Sequence, residues 1–317
     1  MNWQKRGMAI ALSGLLCAAA NAQQVTRFVT GSAPGGGVDY VARTVGEAIG
    51  PLLGRTVIVE NKPGASYNIA AEAVAKAPPD GNTVLVTFNV HPIAGALHPT
   101  LPFDPVKDFR AIGMVATTPY ALVANPKVPG NTLKEMIELA KAQGRPLSFA
   151  SIGLGTPQHL MLERLKQQTG VDIMMVHYKT PSTGQTDVAA GHVDFILSTI
   201  AFCEPLVKAG KLKVLAVTSD QRLPQFPDAP TARESGYEGF ITDGWYGLLA
   251  PAGTPDGTVQ AYNDALAKVL AMPDIQAKFQ SAGLKPMPGK PEELDRQIRE
   301  DAAMWQKVIT EQDIKAE

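Results

Sequence analysis

Residues 27–43 read RFVTGSAPGGGVDYVAR and contain the pattern that decides the fold. The segment from Arg27 to Ser32 is apolar and β-branched, which is typical of a buried strand. Pro-Gly-Gly-Gly at residues 34–37 ends the strand. From Val38 to Gly50 the apolar residues recur on one face of a helix. A strand, a glycine loop and a helix in this order are the unit of parallel sheets that are covered by helices.

The same unit recurs along the chain, which predicts an α/β fold with two sheets. Short apolar segments predict further strands at residues 56–60, 83–87, 147–151, 173–176, 193–197 and 213–218. Helical patterns follow most of them, at residues 68–77, 158–169, 183–190 and 202–209. The C-terminal part is helical at residues 258–271, 274–282 and 291–312.

Two extended segments predict how the chain is divided into lobes. Residues 121–125 and 246–250 are apolar, and a proline follows each of them. If both segments connect the same two bodies, residues 23–123 and 246–317 form an outer lobe. Residues 124–245 then form an inner lobe that is inserted into it. The length agrees with two cores, because single cores seldom grow beyond ~250–300 residues.

The N-terminus has the three parts of a secretory signal. Lys5 and Arg6 precede an apolar stretch at residues 8–20, and Ala20-Asn21-Ala22 is a small-x-small cleavage site. We therefore expect cleavage after Ala22, a mature chain of 295 of the 317 residues, and a periplasmic location. Removal of the two basic residues changes the formal net charge from −1 to −3, which disfavours nucleic acid as a partner.

Three loops are candidates for binding an anion. Residues 33–38, 61–68 and 151–158 each join the carboxyl end of a predicted strand to the N-terminus of a helix. Ligands of open α/β sheets bind at this edge, and helix N-termini attract anions through their N–H groups. The predicted contacts in and beside these loops are Gly36, Gly37, Asp39, Ala65, Ser66, Tyr67, Asn68, Ser151, Gly155 and Thr156, with Thr199 after a later strand.

Aromatic and histidine side chains near these loops have two interpretations. Tyr67, Phe88 and the pair Trp245-Tyr246 either form a wall of the pocket or pack in the hinge and the core. His91 and His159 are either hydrogen-bond donors in the cleft or structural histidines. We expect no cofactor and no metal, because the sequence lacks the motifs of phosphate loops, dinucleotide sites and nucleophile elbows and its histidines lack metal-ligand spacing.

At these loops the chain resembles the Bug-type receptors, the extracytoplasmic solute-binding proteins of tripartite tricarboxylate transporters. The similarity covers nearly the whole mature chain. The matching motifs include PGGGVDYVAR at 34–43, LPFDPVKDF at 101–109, HYK at 177–179 and WYGLLAPAGTP at 245–255.

The resemblance implies a two-lobed type II periplasmic binding protein fold that closes around a small carboxylate. It also implies that the first two outer-lobe loops hold one ligand carboxylate, and that the inner-lobe loop contacts the other end. The partners would be inner-membrane permease subunits or a sensor kinase, and we expect a monomer.

Two departures from the family pattern affect the pocket. Gly64-Ala65-Ser66-Tyr67-Asn68 stands where the family commonly has Gly-Ala-Gly-Gly-Asn, and Thr180 stands where it often has glycine. Tyr67 could stack on a flat ligand, so an aromatic dicarboxylate such as terephthalate is among the candidates. An exported enzyme on the same fold is the alternative function, which the absence of a nucleophile–base motif disfavours.

Overall fold

The computed structural model describes residues 24–98, 100–151, 156–178, 181–237, 243–311 and 314. The predicted leader, residues 1–22, lies outside them. The strands are β1 (Gln24–Thr30), β2 (Arg55–Asn61), β3 (Thr83–Phe88), β4 (Phe109–Thr118), β5 (Tyr120–Ala124), β6 (Leu147–Ser151), β7 (Ile173–His177), β8 (Phe195–Thr199), β9 (Lys213–Val217), β10 (Gly244–Pro251) and β11 (Lys285–Pro286).

The helices lie between and after these strands. They are α1 (Gly37–Leu53), α2 (Asn68–Ala75), α3 (Ala94–Leu97), α4 (Leu133–Gln143), α5 (Pro157–Thr169), α6 (Pro181–Ala190), α7 (Ile200–Lys208), α8 (Asp256–Leu270), α9 (Pro273–Ser281) and α10 (Pro291–Glu311). Among the described residues no helix is long and apolar enough to cross a membrane.

The strands form two sheets, as the sequence predicts. The first has the order β11-β4-β10-β3-β1-β2, and the second has the order β7-β6-β8-β5-β9. Parallel pairing joins β1 to β2 and β3, and joins β6 to β7 and β8. The strands that connect the sheets pair antiparallel, because β4 leads out of the first sheet and β10 returns to it. The sheets are therefore mixed and not wholly parallel.

The chain changes sheets at points that differ from the predicted lobe boundaries. β4 ends at Thr118 and β5 begins at Tyr120, so the outward change lies at Pro119. The predicted boundary at 123/124 falls inside β5, which pairs with β8 and β9 in the second sheet. Its apolar residues indicate a central buried strand and not a connection. Below, the outer lobe and the inner lobe are the parts built on the first and second sheets.

Helix α10 contributes to the cores of both lobes. Leu294 and Ile298 pack in an outer-lobe core beneath β10. Trp305, Val308 and Ile309 pack in the core of the inner lobe, together with residues of β6 and α5. The sequence assigns this helix to the outer lobe alone, because a 3.6-residue apolar pattern shows which face is buried but not against what.

Candidate ligand-binding site

The glycine loop, residues 31–37, joins β1 to α1 and is held in shape by Asp39. The buried Asp39 carboxylate accepts hydrogen bonds from the Gly35 N–H at 2.9 Å and from Asn61 Nδ2 at 2.8 Å, and it pairs with Arg43. Burial by itself raises the pKa of Asp39, but the hydrogen bonds from Arg43, Gly35 and Asn61 hold it below its usual value. Asp39 therefore positions the loop, and its direct contact with a ligand stays a prediction.

The two predicted glycine donors differ in the structure. The Gly36 N–H donates to the Ala33 carbonyl at 3.0 Å, so it is engaged within the loop, and a Cβ at Gly36 would collide with Ser32 Oγ. In the part of the chain that the structure describes, the N–H groups of Gly37 and Val38 make no hydrogen bond. They belong to the first turn of α1, where a helix has no acceptors of its own for its N–H groups. The N–H groups of this loop that are available to an anion are therefore those of Gly37 and Val38.

The second loop contains a left-handed turn of three residues that are not glycine. Ala65, Ser66 and Tyr67 have φ values of 45°, 53° and 76°, just before α2 begins at Asn68. Each such residue costs of order 1–3 kcal/mol, and strain of this kind clusters at functional sites. The Tyr67 N–H donates to the Gly64 carbonyl at 3.0 Å. The N–H groups of Ala65 and Ser66 have no acceptor among the described residues.

Three aromatic rings form what we call the aromatic wall. The ring centroids of Tyr67 and Phe88 are 4.7 Å apart, and those of Phe88 and Tyr246 are 6.4 Å apart. Tyr67 passes so close to Gly31 that a Cβ there would lie 2.6 Å from the Tyr67 Cα. The Tyr246 hydroxyl would lie 3.1 Å from a Cβ at Gly37. The wall thus runs from the left-handed turn to the N-terminus of α1.

The hydroxyl groups of this wall stay protonated at neutral pH. Burial raises the pKa of Tyr246 to about 12. Burial also raises the pKa of Tyr67, against a smaller opposite effect of its hydrogen bond with Ser32. Both phenols are therefore neutral and able to donate a hydrogen bond to an anion.

Trp245 and His91 do not belong to the site. The Trp245 indole faces α10, where its Nε1 donates to Asp301 at 2.7 Å, because successive residues of a strand point to opposite faces. His91 is buried, with its Nε2 2.8 Å from the Pro105 carbonyl and its ring against Phe109. Burial lowers the pKa of His91 to about 4. The structural interpretation is correct for His91, and the core interpretation is correct for Trp245.

The inner lobe presents hydroxyl groups at the carboxyl ends of β6 and β8. Ser151 ends β6, Thr199 ends β8, and Thr156 is the N-cap of α5. Thr156 Oγ1 accepts the His159 N–H at 3.3 Å, and the His159 side chain is buried 3.9 Å from Glu163. Burial lowers the pKa of His159, so its ring is neutral at pH 7. The predicted contact Gly155 lies outside the described residues.

Sequence reasoning missed Gly31 and Asn61, and it named Tyr246 only beside Trp245 as a candidate for the wall of the pocket. Tyr246 could have been chosen over Trp245 from the alternation of buried faces along β10 if its partner strand had been known. The other two residues act through contacts between loops that are distant in sequence. Among the described residues no cluster of three or more His, Cys, Asp or Glu side chains could hold a metal ion.

Comparison with known proteins identifies the family. Residues 41–314 match the model of the tripartite tricarboxylate transporter family receptor. The chain is 30% identical over 280 residues to the protein BugT of Bordetella pertussis (strain Tohama I), which covers 88% of this chain and 86% of that protein.

Solved structures give the same result. MatC from Rhodopseudomonas palustris with bound malate is 30% identical with a TM-score of 0.74, covering 90% of this chain and 98% of that one. Rpa4515 of the same species with adipate is 31% identical with a TM-score of 0.77, covering 92% of this chain and 97% of that one. The chain belongs to the receptor family of the tripartite tricarboxylate transporters.

Proposed function

We propose that this receptor captures a small dicarboxylate between its lobes in the periplasm and delivers it to the permease of a tripartite tricarboxylate transporter. Membership of the receptor family makes the chain a solute-binding protein and not an enzyme, which decides between the two functions that the sequence left open. The location follows from the predicted leader, residues 1–22, with cleavage after Ala22.

The observation that carries the proposal is a pair of anion-binding turns on neighbouring strands. β1 and β2 run parallel, so the glycine loop and the left-handed turn extend from the same edge of the sheet. Each turn leads into a helix N-terminus and presents two N–H groups without an acceptor in the described chain, those of Gly37 and Val38 and those of Ala65 and Ser66. Hydrogen bonds to a charged group contribute ~1.5–3 kcal/mol each, so these groups suffice for micromolar capture.

The second carboxylate of the ligand would lie against the inner lobe. Ser151, Thr156 and Thr199 stand at the carboxyl edge of the second sheet and offer hydroxyl groups. The structural relatives hold malate and adipate, which are both dicarboxylates. The aromatic wall supports a flat ligand equally well, so terephthalate is proposed beside the aliphatic acids.

Calorimetry on the purified mature protein tests the proposal. L-malate, adipate and terephthalate would be titrated beside their dimethyl esters, which have the same skeleton without charge. We expect micromolar binding of at least one diacid and none of its ester, with the ligand recovered unchanged. A ligand at 100 times its Kd should also add ~2.7 kcal/mol to the free energy of unfolding. Failure of every diacid to bind, or equal binding of the ester, would overturn the proposal.

A substitution locates the proposed site. A Cβ at Gly37 would approach the Tyr246 hydroxyl, so Gly37→Val should crowd the anion donors and abolish binding. Gly257→Val is the matched control, because a Cβ at Gly257 near the start of α8 meets no atom within 4 Å. Equal affinities of the two variants would place the site elsewhere.

A further inference from the structure

Asn89 is a buried amide whose side chain makes no hydrogen bond of good geometry with the described residues. The residue follows β3 directly and is 2% exposed. Its backbone N–H donates to the Trp245 carbonyl at 3.1 Å, which fixes it beside β10. Neither Nδ2 nor Oδ1 of its side chain has a hydrogen-bond partner among the described residues. Buried amides are nearly always hydrogen-bonded in folded proteins, so an unpaired one indicates a function or a bound molecule.

The register of the first sheet places Asn89 at the edge that carries the proposed site. β1 and β3 are parallel, with Val29 opposite Leu85. Four residues further along, the chain after β1 reaches Ala33 in the glycine loop and the chain after β3 reaches Asn89. Its neighbour Phe88 is the central ring of the aromatic wall. Asn89 thus lies at the level of the glycine loop and beside β10, the strand by which the chain returns from the inner lobe.

The inner lobe approaches Asn89 through Tyr120, the first residue after the change of sheets. Tyr120 pairs in register with Thr199, and its hydroxyl would lie 2.8 Å from a Cβ at Gly244. Burial raises the pKa of Tyr120, which keeps the phenol neutral, while the Asn89 side chain, which lies close to the phenol but outside hydrogen-bond geometry, lowers it by less. Ionisation of Tyr67 or Tyr246 would raise the pKa of this hydroxyl further, so the three phenols are near one another. The Asn89 amide therefore lies beside a residue of the inner lobe that is itself near the aromatic wall.

We propose that Asn89 binds the ligand and gives the receptor a preference for carboxylates that carry a hydroxyl group. This inference rests on the proposed function. An asparagine side chain offers two N–H donors and one carbonyl acceptor. A carboxylate oxygen satisfies only the donors, because an ionised carboxylate has no proton to give. A hydroxyl group on the adjacent carbon donates to Oδ1, so a hydroxy acid satisfies both sides of the amide.

Two ligands that differ only in this hydroxyl group test the selectivity. L-malate is succinate with one added hydroxyl, and calorimetry gives the Kd of each. We expect the parent protein to bind L-malate about tenfold more tightly, since one hydrogen bond is worth roughly that factor. Asn89→Leu has a similar volume and no polar atoms, and it should bring the two affinities close to each other.

A stability measurement separates ligand recognition from a structural role. Replacing an unpaired buried amide by an apolar side chain of similar shape is neutral or stabilising, so Asn89→Leu should leave the urea midpoint unchanged or raise it. Asn263 is the matched control, because its Nδ2 donates to the carbonyls of Ile112 and Gly289. Asn263→Leu should lower the midpoint and leave the malate-to-succinate ratio as in the parent.

The outcomes distinguish this inference from the proposed function. If the parent binds none of malate, succinate, adipate and terephthalate, the proposed function is wrong. The inference about Asn89 is then wrong as well, because it requires a carboxylate ligand. If the parent binds a diacid but does not prefer malate to succinate, or if Asn89→Leu keeps the parental ratio, only the inference is overturned. A fall in the midpoint of Asn89→Leu as large as that of Asn263→Leu, with the ratio unchanged, would show that Asn89 is structural.

Discussion

Thr156 combines helix capping with a proposed ligand contact. Its Oγ1 accepts the His159 N–H at the N-terminus of α5. Thr156→Ala should lower the free energy of unfolding by ~1 kcal/mol through loss of the cap. It should also weaken dicarboxylate binding about tenfold, because the proposed contact with the ligand would lose its hydroxyl donor. Urea unfolding and calorimetry measure the two effects separately.

Thr132 provides the control for this variant. Its Oγ1 accepts the Glu135 N–H at 3.2 Å and caps α4 in the same way, but it is not a candidate site residue. Thr132→Ala should cost the same stability and leave the affinity unchanged. If both variants bind the ligand like the parent, Thr156 is a cap only.

His91 makes the outer lobe sensitive to acid. Its pKa is about 4 in the folded protein because the side chain is fully buried, against ~6.5 in an unfolded chain. Below pH 6.5 the unfolded chain takes up a proton that the folded protein refuses, so stability is complete above that pH and is lost as the pH falls toward 4. This histidine alone should cost about 2 kcal/mol between pH 7 and pH 5.

Urea unfolding at several pH values tests the effect of His91. His91→Gln cannot titrate but retains an amide donor for the Pro105 carbonyl, so its stability should fall less between pH 7 and pH 5 than that of the parent. His192→Gln changes an exposed histidine and should keep the parental slope. If the free energy of unfolding falls equally between pH 7 and pH 5 in all three proteins, His91 is not the source of the acid sensitivity.

The left-handed turn stores strain that one substitution should release. Ser66 has φ 53° and ψ 43°, a conformation that costs a side chain roughly 1–2 kcal/mol and glycine little. Ser66→Gly should therefore raise the free energy of unfolding by about 1 kcal/mol. Ser281→Gly at the end of α9 should instead lower the free energy of unfolding, because glycine is unfavourable in a helix. Urea unfolding compares them, and destabilisation by Ser66→Gly would show that the Ser66 side chain itself stabilises the turn.

Elements with a strong local pattern could be predicted from the sequence. The glycine loop with β1 and α1 follows from residues 27–43, because a strand, a glycine run and an apolar helical face need no distant partner to be recognised. β4 was missed, and β5 was assigned to a connection between the lobes. Both are buried apolar strands, and the sheet to which such a strand belongs depends on pairing that composition does not encode.

The sequence predicts which loops form the candidate site but not which of their N–H groups and side chains are available. The structure places the glycine loop and the left-handed turn together, as expected for the ends of parallel strands. Which N–H groups are available was not predictable, since the Gly36 N–H is engaged by Ala33. Asp39 and His91 are polar residues near the loops whose partners, Asn61 and Pro105, come from other segments. Side-chain partners of this kind emerge only from the packed fold.

The two lobes are tied together by more than the two crossing strands. Helix α10 is anchored to the crossing strand β10 by the hydrogen bond from Trp245 to Asp301. One to two turns later Trp305, Val308 and Ile309 pack in the core of the inner lobe. We expect a closing motion to bend the chain at Pro119 and near Gly244, and α10 to move with the inner lobe.

A ligand held by both lobes should make the molecule more compact. A ligand shifts an open–closed equilibrium only by binding the closed state better, and the proposed contacts from the glycine loop and from Thr156 would provide that difference. Small-angle scattering of the mature protein should show a smaller radius of gyration with a saturating diacid. In the Gly37→Val variant the added side chain fills the space in which an anion would meet the N–H donors. The radius of gyration of this variant should therefore not change under the same conditions. An unchanged radius in the parent, at a ligand concentration that calorimetry shows to be saturating, would count against closure of two lobes around the ligand.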